Sequence, residues 1–374
     1  MEDYLPQEVL LNIFHRLPNK SIGRCICVCK YWLSLIKNPS FVSTHLIQTI
    51  SSNKEHLFLL KLSSQETQEI QYSLHFDNEK FSKYLQLGVP FKENNQSFSI
   101  VGSCNGLVCL MHNLYTYNYT FVLWNPVIGK SLELPEPNIK FDSHGAFEAF
   151  VGFGFDSCSY DYKVVRVLRL LEYENESEED DEVAIEVEIF SLRKNSWKVI
   201  TDIAPQYDIV ERSSQAFVNG AVHWIATKRK SNGECNNLVM SLNMSNENFR
   251  ELILPECLVN ENPMFLTISI YEDSSIAVFR RNYVRFSDSD IWVMKEYGVA
   301  ESWEKILTVG RYEGGVPRAL GFRRNGGVIF ELYNGDLVSV DAKSLEIEGL
   351  GIHSASSGYS FVDTFMESLV LLEL

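Results

Sequence analysis

Trp124-Asn125-Pro126-Val127-Ile128-Gly129-Lys130-Ser131-Leu132-Glu133-Leu134-Pro135 reads as the end of one strand, a tight turn and a second strand. The same shape returns at Ile189 to Trp197, Ser241 to Phe249, Ile291 to Trp303 and Ser339 to Leu345. The five starts lie 65, 52, 50 and 48 residues apart. Propeller blades of four strands recur at about 40–50 residues.

Working outward, each unit also carries an earlier hairpin. Asn105-Gly106, Asn219-Gly220 and Asn325-Gly326 stand between apolar runs, and Glu272-Asp273-Ser274 takes that place in the fourth unit. Asn-Gly supplies the two positive φ values of a type I′ turn. A unit is therefore four strands, A to D, and five units are complete. The leftovers are 358–363 and 367–373, expected as strands A and B of a sixth unit, and 56–62 and 69–76, expected as its strands C and D. Joining the two ends of the chain closes a ring of six blades and protects the sheet edges.

Residues 3–39 have a different texture. Pro6 suits a first helical turn. Val9, Leu10, Ile13, Phe14 and Leu17 then recur at three- and four-residue spacing, an amphipathic stripe that Pro18 ends. A second stripe carries Ile22, Cys25, Ile26 and Cys29 and continues through Tyr31, Trp32, Leu35 and Ile36. About forty residues make a weak core alone. Pattern alone leaves two readings open: the apolar face packs on the rest of the chain, or it stays open for a partner.

Leu5-Pro6, Ile13-Phe14, Leu17-Pro18 and Cys27-Val28-Cys29-Lys30-Tyr31-Trp32 resemble an F-box. Gly102-Ser103-Cys104-Asn105-Gly106-Leu107-Val108-Cys109, Leu123-Trp124-Asn125-Pro126, Gly152 to Asp156, Val187 to Leu192 and Gly220 to Trp224 resemble the F-box-associated, kelch-like domain of plant F-box proteins. The regular diglycines of true kelch repeats are missing. The resemblance implies an α+β multidomain chain: a small α-helical F-box at 1–45, then an all-β propeller at 55–374. It also implies a role, the substrate-recognition subunit of a Skp-cullin-F-box ubiquitin ligase. Leu5, Pro6, Val9, Leu10, Ile13, Phe14, Leu17 and Pro18 would then meet the Skp-type adaptor and, through it, a cullin. Trp32 would hold the helices together, with adaptor contact as its second expected role.

Composition bounds the alternatives. With 374 residues the chain exceeds one typical core, and its 45% hydrophobic and 22% charged residues are those of a globular protein. A net charge of -16 works against nucleic acid and anionic membrane surfaces and suits a basic partner. The start Met1-Glu2-Asp3 is acidic where a signal peptide is basic, and no stretch approaches the roughly 18 apolar residues of a membrane span. Cytoplasm or nucleus is the expected location, with the eight cysteines as free thiols.

No catalytic, metal or cofactor motif stands out. Gly129-Lys130-Ser131 ends like a phosphate loop but lacks the first glycine and the following helix. Cys25, Cys27 and Cys29 do not have zinc spacing. His223 beside Trp224 reads as a packed side chain. Long loops between strands B and C or between blades share one face by topology: 77–96, 112–119, 171–182, 227–236 and 281–289. That face is the expected target surface, with Tyr115, Tyr117 and Tyr119 as aromatic contacts and Glu178, Glu179, Asp180 and Asp181 within the acidic run 172–182. The competing readings are partly buried rings for the tyrosines and a solvated loop for the acids. The rival to the ligase reading is a propeller enzyme or binder with an incidental helical arm, since fold alone does not assign function.

Overall fold

The computed structural model describes residues 5–52, 56–64, 69–88, 90, 98–112, 117, 119–171, 184–200, 207–209, 214–229, 235–282, 288–312, 315–355 and 360–372. Four helices come first: α1 (Gln7–Phe14), α2 (Asn19–Cys25), α3 (Lys30–Ile36) and α4 (Pro39–Ser52). Pro6 caps α1 and Pro18 caps α2, each extended at ψ near 145°. The boundary expected at 45 falls inside α4.

Six antiparallel sheets follow. Blade 1 runs Ser99–Cys104, Leu107–His112, Thr120–Asn125 and Lys130–Glu133. Blade 2 runs Phe147–Asp156, Asp161–Leu170, Ile185–Ser191 and Ser196–Val199. In blade 3 strand A comes in two pieces, Asp208–Ile209 and Ala216–Val218, both paired with Ala221–Arg229; Cys235–Asn243 and Phe249–Ile253 complete it. Blade 4 runs Leu266–Tyr271, Ser275–Arg281, Asp288–Met294 and Trp303–Gly310, and blade 5 Arg318–Phe322, Gly327–Glu331, Asp336–Asp341 and Ile347–His353.

Blade 6 closes the ring, but not with the strands expected. Its order is Phe361–Phe365, Leu57–Ser63, Ile70–Phe76, Lys83–Leu87. Leu57 pairs with Phe365 and Lys61 with Phe361. So 57–63 is strand B rather than C, and 70–76 is C rather than D. Strand D is Lys83–Leu87, which the sequence reading left inside a connection. Residues 367–372 do not form the expected strand: they run as irregular chain, buried from Ser368 to Leu372. A short apolar run such as Leu369-Val370-Leu371-Leu372 fits a buried strand or a packed tether equally.

Turn chemistry explains the hairpins. Asn105 and Gly106, Asn219 and Gly220, and Glu272 and Asp273 all have φ between 48° and 79°, as a type I′ turn requires. Asn325-Gly326 differs: only Gly326 is left-handed (φ 87°), in a loop where the Gly326 amide donates to Arg323 and the Arg323 amide to Gly327. This is the longer hairpin turn with one glycine in the left-handed region.

Apolar clusters fill each seam between neighbouring blades. Leu59, Leu74, Val108 and Trp124 join blades 6 and 1, and Val165, Val187, Trp224 and Met240 join blades 2 and 3. Ile225, Val239, Ile268 and Val278 join blades 3 and 4. Phe279, Ile291, Phe330 and Val340 join 4 and 5, and Phe58, Leu60, Ile329 and Val362 join 5 and 6. Tryptophans of the repeat add polar links: Trp197 Nε1 donates to Pro135 O at 2.7 Å and Trp303 Nε1 to Ile253 O at 2.9 Å, each reaching the chain that ends the previous blade.

Candidate functional site: two opposite surfaces

Strand connectivity sorts the loops. A–B and C–D turns lie at one end of every blade, and B–C loops and blade-to-blade links at the other. Strand B of blade 6 begins at Leu57, so the helices join the ring at the A–B end. Asp77–Ser82 is now a C–D turn and leaves the long-loop face.

On the helices, the apolar stripe divides. Leu10 and Phe14 point inward and are buried, with Ile22, Leu35, Ile36, Phe41, Val42 and Leu46. Phe14 meets Trp32 edge-on at 5.1 Å and Phe41 at 6.4 Å. Leu10 and Phe14, two of the expected partner contacts, form the core of the helices in the free chain, because residues one position along from Val9 and Ile13 turn about 100° around the helix. Leu17 and Trp32 are half-buried against that core. Leu5, Val9 and Ile13 stand outward at 52%, 42% and 42% exposure, flanked by exposed Pro6 and Pro18. Val28 and Tyr31 add exposed apolar surface nearby in sequence. Inside the bundle His15 stacks on Phe41 at 4.4 Å and lies 6.2 Å from His45. Burial, with His15 adding, pulls the His45 imidazole down to about 4.

The long-loop face is built differently. Tyr117 stacks on Phe141 at 4.8 Å and meets Phe147 edge-on at 5.2 Å. Tyr119 stacks on Phe121 and Phe147, and the Arg166 guanidinium sits 4.8 Å from its ring centre. Arg166 is fully buried, donates to Glu188 and to Ile139 O, and Glu188 accepts the amides of Asn138 and Ile139. A buried ion pair thus fastens the link between blades 1 and 2 beneath the tyrosines. Tyr115, Glu178, Glu179, Asp180 and Asp181 lie outside the described residues.

This face carries exposed side chains that sequence reasoning missed: Met264 (77%), Tyr333 (66%), Ile253 (65%) and Tyr312. Tyr312 and Tyr333 are drawn together by Gly315, whose amide and carbonyl pair with Tyr312 and whose Cβ position lies 2.8 Å from Tyr333 Cβ. Ile253 ends a strand, Met264 stands in a short helical turn, and Tyr312 and Tyr333 are single apolar residues in loops, so none belongs to a periodic pattern.

A cleft of about 830 Å³ opens at the A–B end of blades 4, 5 and 6, lined by Tyr271, Asp273, Arg324, Lys343 and Asp363 among others. Burial pushes the Asp363 carboxyl up to about 6, although Ser103 Oγ donates to it at 2.9 Å. Charges of both signs line the cleft, and no group of three or more metal-ligating side chains occurs among the described residues. Cys104 and Cys109 are buried thiols pushed up by desolvation, and His223 is packed, its ring nitrogens 3.1 Å from Ala216 O and 2.7 Å from Tyr297 Oη. No helix among the described residues is long and apolar enough to cross a membrane.

Comparison with known families matches an F-box-like domain at residues 3–48 and an F-box associated beta propeller domain at residues 58–330. The F-box protein At3g07870 of Arabidopsis thaliana is 30% identical, over 96% of this chain and 90% of that one. The F-box protein CPR1 of the same plant is 28% identical, over 98% and 89%. The F-box/kelch-repeat protein At3g23880 is 28% identical, over 82% and 79%.

Proposed function

The chain belongs to the F-box proteins that carry an F-box associated β-propeller, and from that premise we propose that it is the substrate-recognition subunit of a Skp-cullin-F-box ubiquitin ligase. One observation carries this reading: Val9 and Ile13, with Leu5 just ahead of them, remain exposed on a helix whose other face is already packed. An apolar stripe left open on a small helical module is a groove ligand in waiting. A Skp-type adaptor would cover it, and a cullin would follow through the adaptor. The propeller would hold the target, and bond chemistry would fall to other subunits. The gain is effective concentration, since target and charged enzyme share one assembly.

The target surface in this reading is the long-loop face, away from the helices. Met264, Tyr312 and Tyr333 give it the aromatic and methionine character of interface centres. The acidic run 172–182 stands in sequence between Leu170 and Ile185, outside the described residues. It would speed the encounter with a basic target, an effect that fades with salt.

Co-purification with a Skp-type adaptor is the test. Burial of one large apolar side chain is worth about 1.5–3 kcal/mol, so Leu5→Ala with Ile13→Ala should weaken adaptor capture by tens-fold or more while the helices stay folded. Full capture by that variant would sink the proposal. For the target, a pull-down under proteasome inhibition with the helices deleted should enrich a protein lost on Tyr333→Ala with Met264→Ala. Equal recovery would move the target surface elsewhere.

A further inference from the structure

Residues 366–372 belong to no strand and no helix, yet they are fixed at several points. They leave strand A of blade 6 at Phe365 and cross the A–B end of the ring. Ser368, Leu369, Val370, Leu371 and Leu372 are all buried. Three independent fixings hold them. Gly106, in the first turn of blade 1, lets the segment come so near that a Cβ there would stand 2.4 Å from Ser368 Oγ and 2.8 Å from Met366 O. Asn125, fully buried in the turn of blade 1 that opens Trp124–Pro135, donates through Nδ2 to Ser368 O at 3.0 Å and Val370 O at 2.9 Å, while its Oδ1 accepts the amides of Val127 and Ile128. Glu367 accepts from Tyr84 Oη of blade 6 at 2.9 Å and, with its other oxygen, from Asn19 Nδ2 at the start of α2 at 3.4 Å.

The last contact leads to the helices. Leu369 to Leu372 lie in one apolar cluster with Leu10, Phe14 and Ile22 on one side and with Cys104, Leu107 and Leu123 of blade 1 on the other. Leu371 adopts φ 73°, a left-handed conformation that a leucine holds only when its surroundings over-determine it.

We propose that residues 366–372 are a strap that fixes the adaptor-facing helices on the A–B end of the propeller, and so sets the distance and direction between the helices and the long-loop face. Strand closure of blade 6 is complete at Phe365, so the strap is not needed to close the ring. Its work is positional. A receptor that only tethered its two ends would need no such segment. One that must present a target at a defined place gains from a rigid joint, because freedom at the joint dilutes the effective concentration. Glu367 is a positioning residue in this scheme, touching neither partner.

The test uses the full chain without adaptor or target, so its failure is separate from failure of the receptor reading. Trypsin cleavage at Lys20 and Arg24 in α2, the helix whose first residue meets Glu367, reports opening of the joint. Loss of one hydrogen-bonding partner is a change of about fivefold in such an opening equilibrium. Glu367→Ala should therefore speed cleavage by about fivefold while the melting of the propeller is unchanged, and Glu367→Gln, which keeps the shape and one of the two acceptor oxygens, should recover part of the resistance. A chain ending at Phe365 should show a larger acceleration and, by small-angle X-ray scattering, a larger radius of gyration. If truncation unfolds the propeller, the Glu367→Ala measurement decides alone. Unchanged cleavage in Glu367→Ala overturns the strap, as does a truncated chain that keeps wild-type resistance and dimensions.

Discussion

The helical module and the propeller bury their apolar side chains in opposite ways. Each blade finds its cover in the next blade around the ring, and the seams are complete on both sides. The helices cannot do this. Their inner face shares a cluster with Leu369 to Leu372 of the distant strap, and their outer face keeps Leu5, Val9 and Ile13 in solvent. A closed ring hides its edges and displays function in loops. An open bundle of about 46 residues borrows part of its core and displays function as bare apolar helix. The two kinds of surface should therefore respond differently to the same kind of mutation.

The largest difference concerns buried charge. Arg166 and Glu188 sit inside the ring, where removal of one partner strands the other. Arg166→Met should cost about 3–5 kcal/mol in chemical denaturation, and Arg166→Met with Glu188→Leu should recover most of it. If the double variant is as weak as the single, the pair contributes through its bonds to Asn138 and Ile139 rather than by neutralising Arg166. Within the helices the matching experiment is apolar. Phe14→Ala should destabilise the bundle by at least about 3 kcal/mol, whereas Val9→Ala or Ile13→Ala, half in solvent already, should leave its stability within about 1 kcal/mol. Hydrogen exchange of α1 to α3 amides separates the two outcomes. Equal losses would mean that the outer stripe packs within the chain.

Much of this contrast was legible in the sequence. The 48–52-residue intervals and the Asn-Gly turns identified blades because turn chemistry is local: a residue at positive φ must be one that tolerates it. The closing blade was harder. Lys83-Tyr84-Leu85-Gln86-Leu87 is too short to announce itself after the turn at Asn78, and the strap is as apolar as any strand. Which of two adjacent helix positions faces inward was also hidden, since Val9 and Leu10, or Ile13 and Phe14, are chemically alike. Only packing separates core from contact surface. Tyr333 left no trace at all, because one exposed apolar side chain in a loop has no pattern, and Met264 is indistinguishable in sequence from its apolar neighbours Phe265 and Leu266.

A pH titration sharpens the comparison further. His45 is buried in the bundle and pulled down to about 4 by burial and by His15. An unfolded histidine titrates near 6.5. Between these values the unfolded chain binds the proton and the folded bundle does not, so the stability His45 leaves intact above about pH 6.5 is lost as pH falls toward 4. The loss should approach about 2–3 kcal/mol at pH 4. Asp363 in the ring has the opposite sense. Its carboxyl is pushed up to about 6, so it keeps its proton when folded and costs stability as pH rises between about 4 and 6. His45→Gln should flatten the acid sensitivity of α4 exchange, and Asp363→Asn should steepen that of the blades. A His45→Gln bundle as acid-sensitive as the original would reassign the effect to His15.

The smallest effect tests the idea that every glycine here serves the fold. Gly106 does: its φ is 79° and the strap fills the space where a side chain would go. Gly23, in the middle of α2, has neither reason. An added Cβ meets nothing within 4 Å, and its φ is not left-handed. Glycine in a helix interior costs about 0.5–1 kcal/mol relative to alanine, because the unfolded chain has more freedom to lose. Gly23→Ala should therefore raise the denaturation midpoint of the helices with the slope unchanged, whereas Gly106→Ala should lower that of the whole chain. If Gly23→Ala stabilises the free protein yet weakens adaptor capture, the open space around Gly23 is room for the partner's backbone rather than slack. If it stabilises without touching capture, α2 lies outside the adaptor contact and the stripe of Leu5, Val9 and Ile13 must carry binding alone.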